Sequence, residues 1–288
     1  MHRMRKRVQR KGLFCPCLLA FLKDRMPAAD LSRLQAQISA ISTQFKTPSR
    51  FVKSLTALME LYSDSHFQTG NSIKIEILMP SYRLPFLVMR QLETDLSSLT
   101  YLQPDPALEI MDLLWQKTFF ETRMLAITML GNLPIDILQP MRERFLNWVQ
   151  PGLENHLMEA LLNKGSFQLR QNKIDEWLRW AKKWIIDKNP EVEKIGLRSL
   201  KIVCSDSHYI NFPAIFSIIE PIILKPIFPI QKELTSLFKT IIGRVPMETL
   251  SFFRSILVQS QSNEIKAFVR RCLPFFEKDV QQSLKSIL

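Results

Sequence analysis

One amphipathic segment recurs along this chain at nearly regular intervals, and this recurrence limits the folds open to it. Five copies begin at residues 119, 151, 190, 229 and 263, in steps of 32, 39, 39 and 34 residues. Each copy starts with Pro, Asn or Phe near a polar or acidic residue and continues with apolar residues at i, i+3, i+4 and i+7. That spacing, with its start signal, predicts a helix in every copy.

A second amphipathic segment precedes each copy. These segments read DPALEIMDLLWQ, DILQPMRERFLNWV, IDEWLRWAKKWIID, FPAIFSIIEPIIL and METLSFFRSILV. The unit is therefore a pair of helices in about 36 residues, a period typical of helical repeat proteins. Prolines at the turns favour HEAT-like pairs, and the signatures of tetratricopeptide repeats are absent. We predict an all-α right-handed superhelix, or solenoid, of HEAT-like helix pairs, with one or two further helices in residues 30–62.

The domain boundaries follow from the same pattern. Residues 26–288 are predicted to form one repeat domain, since the single strand-like fragment, SIKIEILM at 72–79, ends at Pro80. Residues 1–25 combine a basic arm with an apolar run at 13–22 and have no repeat partner. The run differs from a signal peptide because three charged residues follow it directly. We expect residues 1–25 to be disordered or to be an upstream translation artefact.

The composition narrows the class of partner. The chain has 39 Lys and Arg against 27 Asp and Glu, a net charge of +12, so its surface attracts nucleic acid or an anionic membrane. No apolar run approaches the roughly 20 residues that span a bilayer. The four cysteines lack the spacing of a zinc site, which predicts no metal and fits a reducing, cytoplasmic location. Phosphate-binding glycine loops and hydrolase motifs are also absent, so we expect no cofactor.

Cations recur at similar positions in the second helices. Arg123, Lys194, Lys232 and Lys266 lie three or four residues after the start of their copies, whereas the copy at 151 has Glu154 and Asn155 there. A further set follows about one turn later: Arg198, Lys239, Arg270 and Arg271. Because second helices line the concave face of such repeats, these cations are predicted to form a groove for a phosphate backbone. The alternative is that they are solvated faces of ordinary helices.

The chain resembles the HEAT-like-repeat DNA alkylation-repair proteins over about residues 30–288. The similarity rests on MPSYRLPFLVMRQLETDL (79–96) and DPALEIMDLLWQKTFFETRMLAITMLGNLP (105–134), with weaker likeness in 180–200 and 265–274. The residues that carry it are Pro80, Pro85, Leu114, Trp115, Glu121, Arg123 and Ala126. The resemblance implies a C-shaped helical protein that holds duplex DNA in a basic concave groove.

The resemblance also implies a chemistry, from which this sequence departs. The best-known members are glycosylases that excise cationic alkylated purines with a Trp and an Asp on one helix, a cation in the next repeat and a second Trp. Here the corresponding helix, LENHLMEALLNKG (153–165), has no Trp and offers Glu154 or Glu159 as the carboxylate. Lys194 or Arg198 stands where the cation is expected, and Ser236 or its neighbours where the second Trp is expected. The candidate catalytic residues are therefore Glu159 and Lys194.

Two functions remain open from the sequence. The first is a monomeric alkylation-repair-type protein that binds duplex DNA in its groove, either as a lesion-binding protein or as a glycosylase that also excises cationic alkylated purines. The second is a non-catalytic HEAT-like scaffold that binds a protein or structured DNA. The tryptophans do not decide between them, because Trp177, Trp180 and Trp184 form one helical stripe that is predicted to pack in the core.

Overall fold

A computed structural model describes residues 31–63, 79–225, 228–260, 262–286 and 288. Fifteen α-helices and no strand occur in those ranges, so the prediction of an all-α protein is confirmed. The helices are α1 (Leu31–Ser42), α2 (Pro48–Leu61), α3 (Phe86–Leu102), α4 (Pro104–Trp115), α5 (Phe120–Gly131), α6 (Leu138–Trp148), α7 (Asn155–Ala160), α8 (Phe167–Asn172), α9 (Ile174–Ile185), α10 (Pro190–Ser205), α11 (Phe212–Ile223), α12 (Gln231–Arg244), α13 (Pro246–Gln259), α14 (Asn263–Cys272) and α15 (Lys278–Lys285).

The ten segments of the repeat pattern all form helices, and their start signals act as expected at several positions. Pro190 begins α10, where the side chain of Asn189 caps the helix by accepting a hydrogen bond from the backbone of Glu191. Ser262 caps α14 in the same way. Residues 1–25 and 72–78, for which we predicted an extension and a strand-like fragment, lie outside the described residues.

The copy at 151 departs from the predicted register. Its helix starts at Asn155 instead of Pro151, because Gly152 adopts a left-handed conformation with φ of 87° and the side chain of Glu154 caps the helix. After Ala160 the backbone widens into a π-helical turn, Leu161–Gly165, which leads into α8. Neither the π turn nor α8 was predicted from the sequence.

The second helices of the pairs form one row. In this row α5 packs against α7 and the π turn, the π turn packs against α10, α10 against α12, and α12 against α14. The helix α3 extends the row at the N-terminal end by packing against α5. The row therefore presents a surface built from helices that are distant in the sequence but adjacent in space.

Aromatic contacts join the first helices of the pairs. Trp115 of α4 stacks on Trp148 of α6 with ring centroids 4.3 Å apart, and Phe145 of α6 meets Trp177 of α9 at 5.4 Å. Trp177 is 1% exposed, while Trp180 and Trp184 pack against the same core from half-buried positions. The prediction that this tryptophan stripe packs in the core is confirmed.

Candidate functional site: two clefts along the row of second helices

The row of second helices carries a cleft of about 770 Å³, called here the large cleft. Its walls come from α7 and the π turn, α8, α10 and α12. The lining residues are Asn155, Glu159, Leu162 and Asn163; Phe167, Arg170 and Gln171; Arg198, Lys201, Ile202, Ser205 and Asp206; and Lys232, Glu233 and Ser236. Within α10 the lining positions are i, i+3, i+4 and i+7 from Arg198, so one face of that helix forms the centre of the cleft.

A second, smaller cleft of about 460 Å³ adjoins it on α3, α5 and the π turn, and is called here the small cleft. Arg90, Thr94 and Ser97 line it from α3, together with Glu93. Thr128, Gly131 and Asn132 line it from the end of α5, and Asn163, Lys164 and Phe167 complete it. The Lys164 ammonium lies 2.9 Å from the Glu93 carboxylate, which also accepts a 3.3 Å hydrogen bond from Thr128. The two clefts share Asn163 and Phe167.

Arg198 ties the helices of the large cleft together. Its guanidinium donates to the side-chain oxygen of Asn155 at 3.2 Å and to the carboxylate of Glu233 at 3.3 Å. The contacts connect α10 with α7 on one side and with α12 on the other. The predicted cation at this position therefore lies in the cleft, and its charge is paired with a carboxylate whose side chain is 11% exposed.

Arg170 is a cation that sequence reasoning missed. The residue is only 8% exposed, and it donates from Nε to Ser166 Oγ at 2.9 Å and from Nη2 to the Asn163 carbonyl at 2.8 Å. Burial lowers the pKa of the Arg170 guanidinium, and the nearby charge of Asp206 opposes that shift. Among the described residues no group accepts a hydrogen bond from Nη1, so both N–H bonds of Nη1 remain for a ligand.

Asp206 closes the end of the large cleft. The backbone N–H of His208 donates to its carboxylate at 3.0 Å, and Gln171 Nε2 donates to the other oxygen at 3.1 Å. The backbone hydrogen bond from His208 is the leading cause that lowers the pKa of Asp206, with the side chains of His208 and Gln171 adding to it against a smaller effect of burial. Each oxygen of the Asp206 carboxylate thus already accepts a hydrogen bond from within the protein.

Lys201 and Lys232 differ from these paired groups. Both line the large cleft, and within the described ranges neither ammonium forms a hydrogen bond or an ion pair. Lys232 was predicted as a phosphate ligand from its place in the repeat, whereas Lys201 was not. The large cleft therefore holds two lysines that form no ion pair within 4.0 Å with any carboxylate of the described residues.

The two carboxylates weighed as catalytic candidates occupy different environments. Glu154 caps α7: Oε2 accepts from the Leu157 backbone at 3.0 Å and Oε1 lies 2.7 Å from His156 Nδ1. Burial alone would raise the pKa of Glu154, but hydrogen bonds from the His156 ring and from the Leu157 and His156 backbones together lower it. Glu159, one turn later, is exposed in the large cleft and makes no hydrogen bond in the described part of the chain. Glu154 is therefore structural, and Glu159 is the carboxylate available to a ligand.

Other predicted site residues lie outside the two clefts. The Lys194 ammonium pairs with Glu191 at 2.7 Å along the same helix. Lys239 lies over the Phe275 ring at 5.9 Å, and Arg270 donates to the carbonyl of Leu288 at 3.0 Å. The exposed Arg271 and the half-buried Lys266 line neither cleft. Of the eight predicted cations, Arg198 and Lys232 therefore line the large cleft, together with Arg170 and Lys201, and the other six line neither cleft.

The element that carries the family resemblance has a structural role. The Glu121 carboxylate accepts hydrogen bonds from Ser81 Oγ at 2.7 Å, from the Tyr82 backbone at 2.9 Å and from the Arg83 backbone at 2.9 Å. It thereby fixes the extended segment before α3 onto the start of α5. The predicted DNA ligand Arg123 donates from Nε to the carbonyls of Trp115 and Lys117, which lie at the end of α4. These residues therefore hold helices together, and their presence does not by itself indicate DNA binding.

The described residues contain neither a metal-binding cluster nor a reactive thiol. In the described ranges no group of three or more His, Cys, Asp or Glu side chains could hold a metal ion. Cys204 and Cys272 are buried and unpaired, and burial raises the pKa of each thiol to about 12. Within the same ranges no helix has the length and hydropathy that crossing a bilayer requires.

The fold and the clefts define an all-helical protein with a polar surface along a row of stacked helices. In a search of solved structures, the chain is similar to the protein smu.31 of Streptococcus mutans UA159, with a TM-score of 0.50 and 15% sequence identity. The alignment covers 66% of this chain and 94% of smu.31. At this level of identity the likeness concerns the fold alone. No protein-family model and no curated protein sequence matches the chain.

Proposed function

We propose that this protein is a monomeric, cytoplasmic DNA-binding protein of the alkylation-repair type, which holds duplex DNA against the large cleft. The observation that carries the proposal is the convergence of Arg170, Arg198, Lys201 and Lys232 from three separate helices on one concave surface. Lys201 and Lys232 have no carboxylate partner among the described residues, so both are free to replace counterions on a phosphate backbone. The resemblance of residues 30–288 to the repair family supports the same function.

The proposal includes a finer description of the fold. We propose that the helix pairs wind into a right-handed superhelix of HEAT-like repeats, with the row of second helices on its concave side. Two features support this: the packing of second helices against one another in sequence order, and the aromatic contacts among the first helices. A duplex lying along the row would meet residues from several repeats at once.

A salt titration tests the proposal. The double variant Lys201→Ala, Lys232→Ala is expected to show a shallower dependence of log K on log salt for duplex DNA. The magnitude of the negative slope should decrease by about two units, one for each lost phosphate contact. The matched control is Lys182→Ala, Lys183→Ala, since this pair removes the same charge from exposed positions on α9 that line neither cleft. The control is expected to keep the wild-type slope.

Equal slopes for wild type, cleft variant and control would contradict a phosphate-binding role for the cleft. The two lysines would then be solvated surface groups, and the chain would be the scaffold for a protein partner that the sequence left open. Affinity for duplexes of different sequence should fall by the same factor in the cleft variant, because phosphate contacts do not read bases.

Excision of cationic alkylated purines is a second candidate, and the position of Glu159 favours it. Its carboxylate has no partner in the described ranges and lies in the same cleft as Arg198 and Ser236. A carboxylate there can stabilise the positive charge that develops on a sugar when its bond to a purine breaks. Glu154 cannot do so without leaving its position as the cap of α7.

Base release from duplex DNA that contains 7-methylguanine tests the second candidate. The wild type is expected to release the base, and Glu159→Gln is expected to lower the rate at least about 100-fold with little change in affinity. Glu109→Gln, a change of an exposed carboxylate on α4, is the control and should keep the wild-type rate. If the wild type releases no base, the protein binds DNA without excising from it.

A further inference from the structure

Phe167, the first residue of α8, is a large apolar side chain in an unusual place. The residue is 48% exposed. Several large apolar side chains of the described residues are exposed to this degree, but Phe167 is the one among them that lines a cleft. A single exposed apolar side chain is ordinary on a protein surface, but this ring lies where two clefts meet and can contact whatever occupies them.

Phe167 forms the ridge between the clefts. Phe167 and Asn163 belong to the wall of both. Cations lie on either side of the ridge, with Arg90 in the small cleft and Arg170 and Lys201 in the large one. The order along the row of helices is therefore cation, exposed ring, cation.

The backbone holds this ridge in place. The π turn before Phe167 packs directly on α5, where the Cα of Gly131 comes so close that an added Cβ would lie 2.1 Å from the Lys164 carbonyl oxygen. Arg170 binds the Asn163 carbonyl, and the Ser166 backbone N–H donates to the Leu161 carbonyl at 3.0 Å. The ring is thus presented by a fixed turn, and π-helical turns of this kind are frequent at functional sites.

We propose that Phe167 stacks on an unpaired base of a DNA strand that passes from the small cleft into the large cleft. Aromatic rings between cations suit single-stranded nucleic acid, since the cations follow the backbone while the ring takes the face of a base. In a fully paired duplex the faces of the bases are stacked on neighbouring base pairs, so no base face is accessible for the ring to stack on. This inference rests on the proposed function and names its substrate class: a duplex that carries an unpaired base.

Competition between two duplexes tests the proposal. One is fully paired, and the other has the same sequence with a single-base bulge. The wild type is expected to bind the bulged duplex about tenfold more tightly, the effect of one base stacked on an aromatic ring. Phe167→Ala and Phe167→Leu are expected to bind both duplexes alike, while Phe167→Trp keeps the preference. Met247→Ala removes an apolar side chain of similar exposure on α13, outside the clefts, and should also keep it.

The salt slopes separate this inference from the proposed function. The Phe167 variants are expected to keep the wild-type slope on the paired duplex, because the ring contacts no phosphate. Equal binding of both duplexes by the wild type, or a preference that survives in Phe167→Ala, would overturn the stacking role and leave the phosphate-binding cleft in place. Failure to bind either duplex would overturn both.

Discussion

Replacing Gly131 with alanine is expected to destabilise the protein by about 3 kcal/mol, the upper range for overpacking in a close-packed interior. An alanine Cβ at this position would lie 2.1 Å from the carbonyl oxygen and 2.9 Å from the carbonyl carbon of Lys164. Both atoms belong to the backbone, so no side-chain rotation relieves the clash. The π turn must move away from α5, and the ridge between the two clefts moves with it.

The measurement is the midpoint of urea unfolding. Gly243→Ala on α12 is the matched control, because apart from the adjacent residues and the backbone of α12 itself no described atom lies within 4 Å of the Cβ that it would add. An alanine there should stabilise the helix by about 0.5 kcal/mol through its higher helix propensity. Equal midpoints for the two variants would contradict the close approach of α5 and the π turn.

Replacing Glu121 with alanine is expected to cost a similar amount, about 3 kcal/mol, because three donors lose a charged acceptor. The residue is 5% exposed, so water does not reach the donors easily once the carboxylate is gone. The backbone N–H groups of Tyr82 and Arg83 are two of the three. The segment that they belong to also includes Arg83 itself, a non-glycine residue with φ of 53°, whose conformation the carboxylate helps to hold.

Urea unfolding of Glu121→Ala and Glu121→Gln tests this role. The glutamine keeps the shape and one acceptor oxygen but turns an N–H₂ group toward a donor, so its effect should lie between those of wild type and alanine. Glu109→Ala, at an exposed position on α4, should change the free energy of unfolding by less than about 0.5 kcal/mol. If Glu121→Ala had the same urea midpoint as Glu109→Ala, the Glu121 carboxylate would not stabilise the contact between the segment before α3 and the start of α5.

The helices were predictable because their signals are local. Apolar spacing and a Pro or Asn at the start are properties of a dozen consecutive residues, and they predicted helices from 119, 190 and 263 correctly. The register of the copy at 151 was not predictable in this way. Its π turn depends on how closely the backbone of α5 approaches at Gly131 and Gly165, and the spacing of apolar residues in 155–165 does not report that contact.

The site was predictable only in part for a related reason. Lys232 was predicted as a phosphate ligand from its position in the repeat, and Arg198 from its position one turn later in α10. Both line the large cleft. Lys194 has the equivalent position in its own repeat, but its ammonium forms an ion pair with Glu191. Aligning the repeats does not predict an ion pair within a single helix. Arg170 and Phe167 lie on α8, a six-residue helix that follows the π turn and falls outside the repeat pattern, so the pattern predicted no position for them. The spacing Arg198–Lys201–Ser205 was the one signal that could have revealed Lys201.

The family resemblance and the cleft are separate lines of support for the function. The most specific residues of the family resemblance have structural roles: they form contacts that join α4, α5 and the segment before α3. These residues are Trp115, Glu121 and Arg123. The cleft lies elsewhere, on α7, α8, α10 and α12, where the resemblance is weak or departs from the family pattern. A test of function must therefore address the cleft itself.

Crosslinking from a single cysteine tests directly whether duplex DNA occupies the large cleft. Cys204 and Cys272 are buried with pKa values of about 12, so they do not react with a thiol-directed photocrosslinker at neutral pH, and Cys15 and Cys17 are replaced by serine. In that background Ser205→Cys carries the probe inside the cleft, and Ser251→Cys carries it on an exposed position of α13 outside both clefts. Our account predicts efficient, salt-sensitive crosslinking of duplex DNA from residue 205 and little from residue 251; equal crosslinking from both positions, or crosslinking from residue 251 alone, would contradict it.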